Sequence, residues 1–190
     1  MLRLNALWWL FTLAGGVLLG AAPATVAAAE CVREDLHGRR LHHPSHTFAR
    51  AWRRDLRGAN LTLLPHLAVL AVLTWNYLAY SAARPDASAQ RLVTLAALLV
   101  VLAVGCWLPG LYVHHEILRR RFLLTGLRFA LANPVPTGLH LFVLAALGYA
   151  SSRLALLPFV FAVGAWCYLG TRVAVRCFAQ NEAWLASQSA

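Results

Sequence analysis

The chain has 190 residues, 60% of them hydrophobic and 13% charged, with a mean hydropathy of +0.60. A water-soluble domain averages about 45–50% apolar and about 25% charged residues, so this composition leaves too little polar surface to cover a soluble core and selects a membrane protein. The formal charge of +10 comes entirely from arginines, grouped at the ends of apolar runs; that grouping fits topology determinants and anionic lipid headgroups and argues against nucleic acid as a partner.

Residues 4–29 form the first apolar run, long enough at about 1.5 Å per residue to cross about 30 Å of hydrocarbon. Trp8 and Trp9 suit an interfacial aromatic belt, Gly16 and Gly20 form a small-residue pair for helix packing, and Pro23 is expected to bend or end the helix near its cytoplasmic side. Arg3, the apolar run and Ala27-Ala28-Ala29 also resemble a cleaved signal peptide. Cleavage there would leave the most basic loop outside the cell, so an uncleaved helix is the expectation.

A basic segment follows at 30–58. Within it, residues 47–58 place Phe48, Trp52 and Leu56 on one helical face, with Arg50, Arg53, Arg54 and Arg57 on the rest. This pattern predicts an amphipathic helix in the headgroup plane, capped by Ser45 or Thr47 and contacting anionic lipid or a partner. Further spans are expected at 61–83, 92–113, 137–152 and 154–175. A second basic segment, 114–133, contains Arg119, Arg120, Arg121 and Arg128, with Leu118, Phe122, Thr125 and Phe129 along one face. Asn133 and Pro134 break that helix and start the next. With the N-terminus outside, thirteen arginines fall on the cytoplasmic side and four, Arg3, Arg84, Arg91 and Arg153, fall outside. The expectation is therefore an all-α, five-helix transmembrane bundle with two cytoplasmic interfacial helices and a cytoplasmic C-terminus.

Two units, 56–70 and 127–144, share a basic amphipathic helix, a helix break and an outward span. They suggest a weak parallel repeat or chance similarity between apolar segments. Both carry a histidine just inside a span, His66 and His140, each one or four residues after a proline. An ionisable residue at that depth is a functional candidate; the plainer reading is a neutral imidazole bonded to a carbonyl freed by Pro65 or Pro136. His42, His43 and His46, or His114, His115 and Glu116, lack the fixed geometry of a metal site. Cys31, Cys106, Cys167 and Cys177 show no zinc or disulfide spacing. No Asp or Glu falls inside a span, and no phosphate-binding, nucleophile-elbow or zinc-protease motif occurs. No enzyme activity, cofactor or metal is expected.

Asn5-Ala6-Leu7-Trp8-Trp9-Leu10-Phe11-Thr12-Leu13 with Gly20-Ala21-Ala22-Pro23-Ala24-Thr25, the basic aromatic stretch 48–60, Tyr112-Val113-His114 and Ala130-Leu131-Ala132-Asn133-Pro134 occur in a defined order. In that order and separation the chain resembles the YesL-like family, bacterial integral membrane proteins carrying a domain of unknown function. The resemblance implies a multispan fold and an association with carbohydrate uptake or utilisation, without catalytic residues or an established substrate. The expected role is an accessory or regulatory partner of a sugar-transport membrane complex at the bacterial inner membrane. The alternative is a small oligomeric transporter or channel.

Overall fold

Gly15 and Gly16 interrupt the first apolar run. In the structure, a computed structural model that describes residues 1–38, 44–83, 88–114, 119–154 and 156–188, Gly16 adopts φ +73° and Val17 φ +63°. This left-handed pair reverses the chain, and glycine makes the first half of it cheap. Helix α1 (Leu2–Ala14) therefore ends there, and α2 (Leu18–Leu36) runs back along it. Trp8 Nε1 donates to Thr25 Oγ1 at 3.0 Å. Gly20 lies against the Thr12 carbonyl and Gly15 against the Gly20 backbone, so neither site has room for a Cβ.

The expected single span at 4–29 is thus corrected to a helical hairpin. Thirteen residues of α1 rise only about 20 Å, short of the hydrocarbon thickness. The hairpin brings Met1 beside Cys31, Asp35 and Pro44, which line one cavity with it. Met1 therefore lies beside the start of the basic segment rather than a full helix length away from it. Gly16 serves the turn and touches nothing, so the close helix pair is Gly15 and Gly20 rather than Gly16 and Gly20. Pro23 sits buried inside α2 and does not end it. It has no N–H to give the Leu19 carbonyl, which instead accepts from Asn60 Nδ2 at 2.8 Å.

Helix α3 (Pro44–Ala83) is continuous over 40 residues, about 60 Å. The expected in-plane helix at 47–58 is the first third of this rod, which corrects its separateness. Phe48 is wholly buried and Ala51 nearly so. The Phe11 ring lies 5.2 Å from Phe48 and 5.4 Å from Trp52, centroid to centroid. The aromatic face is covered by α1 and α2, not by headgroups. Ser45 and Thr47 lie within the helix, whose first residue is Pro44, a residue suited to a first turn. Continuity here also removes the helix break from the first of the two supposed repeat units.

Helix α4 (Ser88–His114) runs antiparallel to α3, with Gly58 against the Tyr112 phenol and Gly105 against His66. Helix α5 (Arg119–Ala132) returns along α4: Phe122 meets Tyr112 at 6.1 Å, and Gly126 packs on Leu108 and Val104. Its buried face is Phe122, Gly126 and Ala130, rotated from the expected stripe because Gly126 permits the closest approach. Asn133 leaves helical geometry at φ −122° and ψ 68°, as the Asn-Pro step predicts, and α6 (Pro134–Arg153) begins. Thr137 Oγ1 hydrogen-bonds with the Ala130 and Asn133 carbonyls at 3.0 and 2.8 Å across that break. After a π-helical turn at Pro158–Ala162 the chain enters α7 (Val163–Gln188).

Among the described residues there is no strand, and three helices, α3, α4 and α6, are long and apolar enough to cross a membrane. The expected spans at 61–83, 92–113 and 137–152 fall within them. The expected fifth, 154–175, is not among them: a π-helical turn leads directly into α7, which carries Arg172 within that range. Leu61, Val72, Trp75, Leu92 and Phe142 present apolar side chains outward along the three long helices, as a lipid-facing belt requires. The main core is centred on Trp107, fully buried among Phe129 of α5 and Phe178 of α7 at 5.8 and 6.1 Å.

Candidate functional site

His66 and His140 flank α4. His66, 8% exposed, projects from α3 against Gly105, where a Cβ would stand 2.7 Å from Nε2. The imidazole has no hydrogen-bond partner among the described residues. It borders a cavity of about 370 Å³ whose other walls are mostly apolar, with leucines of α3, α4 and α6 and the rings of Trp8 and Trp166 among them. Pro109, also in the wall, has no N–H to offer the Gly105 carbonyl four residues earlier.

His140 is buried to 3% and sits on the other side of the same helix, with its ring 5.5 Å from Trp107 in an edge-on arrangement. Its Nε2 is 3.1 Å from the Gly170 carbonyl, so as the donor tautomer it ties α6 to α7. This acceptor belongs to a different helix, and the Pro136 backbone of its own helix also lies beside the ring. Trp107 adds a second tie, donating Nε1–H to Thr137 Oγ1 at 3.0 Å. The matching sequence positions of His66 and His140 therefore hide a difference: one is bonded into the core and the other faces a cavity.

The basic face of α3 forms a second feature. Arg50, Arg53, Arg54 and Arg57 are all exposed, on the side opposite buried Phe48 and Ala51. Arg54 pairs with Asp55 at 2.7 Å and with Glu30 of α2. Hydrogen bonds from Asp55 and then Glu30 hold its guanidinium more firmly charged than usual. Arg50, Arg53 and Arg57 have no acidic partner among the described residues. Arg121 is exposed on α5. The side chains of Arg119 and Arg120 lie outside the described residues, as do Arg39, Arg40, His42, His43, His115, Glu116 and Leu118.

No group of three metal-ligating side chains gathers among the described residues. The four cysteines are free, with Cys31, Cys106 and Cys167 buried. Sequence reasoning missed Asn5, which is fully buried and bonded to the start of α7, and Gly105, which makes space for His66. A single Asn in an otherwise apolar opening stretch was the available signal for the first. Nothing in the sequence pairs Gly105 with His66.

Residues 1–77 match the model of a family described as a protein of unknown function, DUF624. An uncharacterized protein of Bacillus subtilis (strain 168), YesV, is 34% identical over 137 residues, which cover 71% of this chain and 65% of the relative. The chain thus spans less than two thirds of the length of that relative. No solved structure matches.

Proposed function

This chain belongs to the DUF624 family, and on that premise we propose that it is an accessory or regulatory partner of a carbohydrate uptake system in the bacterial inner membrane. It docks to its partner through the arginine face of α3. The observation that carries this reading is the division of labour along that helix. A rod of about 60 Å is twice the hydrocarbon thickness, so its basic first third extends beyond the apolar belt. Its aromatic face is already covered by α1 and α2, and this frees Arg50, Arg53 and Arg57 for an acidic surface or for anionic headgroups. The positive-inside rule assigns this end, with the adjacent N-terminus, to the cytoplasm. The carbohydrate class comes from the family resemblance.

The alternative, a small oligomeric transporter or channel, draws on His66 and His140 within the apolar belt. It lacks support from any acidic side chain in α4 or α6 or in α3 beyond Asp55. Two measurements separate the readings. In the host, the triple change Arg50→Gln, Arg53→Gln and Arg57→Gln lowers sugar uptake at unchanged protein level if the docking reading holds. Sugar flux through liposomes containing only this purified protein contradicts that reading and selects the alternative.

A further inference from the structure

The cavity at His66 goes beyond the docking role. Helices α3 and α6 both pack on α4 but scarcely on each other, so a cleft opens between them at membrane depth. Leu70 of α3, Leu102 of α4 and Leu144 of α6 line it, and the residues on its inner side include Trp166. At about 370 Å³ it falls within the roughly 300–1,000 Å³ range of small-molecule sites.

Polar groups interrupt the apolar lining at Thr25, which is bonded to Trp8, and at His66, Cys106 and Trp166. The His66 side chain, 8% exposed, faces the cavity with no hydrogen-bond partner among the described residues, and the buried Nε1 of Trp166 has only the Cys106 sulfur beside it. A polar side chain that faces an apolar cavity without a partner is suited to a ligand that brings the acceptor. The depth of His66 narrows the ligand. The apolar stretch of α3 begins after Asn60, which places His66 only about 8 Å inside it, near the level where acyl chains join their headgroups. A charged headgroup has no counter-ion in this lining, whereas an ester carbonyl with its hydrocarbon chain matches both the donor and the leucines.

We propose that the cleft between α3, α4 and α6 is a lipid site, holding one acyl chain of a membrane glycerolipid whose ester carbonyl accepts a hydrogen bond from His66. Gly105 is a positioning residue here, since any side chain at that place would displace the imidazole. Bilayer lipid reaches the site laterally between Leu70 and Leu144.

The full chain in liposomes, containing a trace of phospholipid with a photoreactive diazirine in one acyl chain, tests this directly. Cross-links mapped by peptide sequencing are expected on residues 63–70 and 102–108. Leu144→Trp, which fills the cleft from the α6 side, should abolish them. His66→Leu should reduce them about fivefold, the effect of one neutral hydrogen bond, while His66→Gln keeps a donor and retains them. Size-exclusion behaviour and thermal unfolding identify variants that remain folded, and Leu144→Trp carries the test if His66→Leu does not. Labelling confined to the outer belt around Val72 and Trp75 would overturn the proposal, as would equal yield in Leu144→Trp. Labelling by a diazirine free fatty acid but not by the phospholipid would overturn the assignment to a glycerolipid.

Discussion

The Gly164 amide donates to Asn5 Oδ1 at 2.8 Å, joining residues 159 positions apart. The Asn5 amide nitrogen in turn donates to the Phe159 carbonyl. A π-helical turn at Pro158–Ala162 shifts the backbone ladder where α7 begins, and the Asn5 carboxamide satisfies groups on both sides of that shift. Asn5 is fully buried, and a Cβ at Gly164 would stand 2.9 Å from the Asn5 Cβ. The first helix is thereby locked to the last.

Replacing Asn5 with Leu leaves the Gly164 N–H and the Phe159 carbonyl without this partner. A loss of about 2 kcal/mol is expected, the order of an orphaned buried polar group. Thermal unfolding in mild detergent reads it. An unchanged midpoint would mean that the carboxamide does not fasten the two ends.

The hairpin separates two glycines that the sequence appeared to pair. Gly20→Val pushes a side chain into the Thr12 carbonyl and should cost about 3 kcal/mol, at the upper end for overpacking. Gly16→Ala meets nothing and carries only the strain of positive φ, about 1 kcal/mol. Equal effects of the two substitutions on thermal stability would favour one straight helix through 4–29.

Much of the fold was legible where chain-breaking chemistry coincided with a change of pattern. Asn133-Pro134 ends one helix and opens another because proline excludes helical geometry at the residue before it. The hairpin was not legible, because Gly15-Gly16 inside an apolar run reads equally as a packing motif; only its φ values reveal the turn. Continuity of α3 was hidden for the opposite reason. The change from basic to apolar at Asn60 marks a change of solvent, and no residue there compels a break in the helix. The arginine face was visible in the sequence because spacing alone puts those side chains together. The differing fates of His66 and His140 depend on Gly105, Trp107 and Gly170, contacts that local pattern does not encode.

Thiol chemistry distinguishes the two cysteines that flank basic residues. Burial, with Glu30 and then Glu34 beside it, pushes the Cys31 thiol up to about 12. Cys177 is raised by burial too, but it is only partly covered. Alkylation at pH 8 should therefore modify Cys177 first, with Cys31 reacting only on unfolding, since the thiolate is the nucleophile. The sign for stability follows from the raised value: the Cys31 contribution is complete below the unfolded thiol's ordinary value and declines as pH rises toward 12. Faster alkylation of Cys31 in the folded protein would contradict its burial against Phe48 and Ala51.

Arg53 and Arg54 are adjacent and exposed, yet they should respond differently. Arg54→Gln breaks the bridge from Asp55 to Glu30 and should lower stability by no more than about 1 kcal/mol, because solvent screens exposed pairs. Arg53→Gln should leave the unfolding midpoint unchanged and reduce association with the partner. Equal loss of stability at both sites would mean that Arg53 has a structural role.

Docking through α3 requires its basic end to lie on the same side of the membrane as the N-terminus and across from the start of α4. Single cysteines at Arg3, Ser45 and Ser88, in a variant whose four native cysteines are replaced by Ala, report this in intact cells through an impermeant maleimide. The prediction is that Ser88→Cys is labelled from outside, while Arg3→Cys and Ser45→Cys react only after the membrane is opened. Labelling of Arg3→Cys from outside together with Ser88→Cys would contradict the hairpin. Labelling of Ser45→Cys from outside would contradict the cytoplasmic docking face.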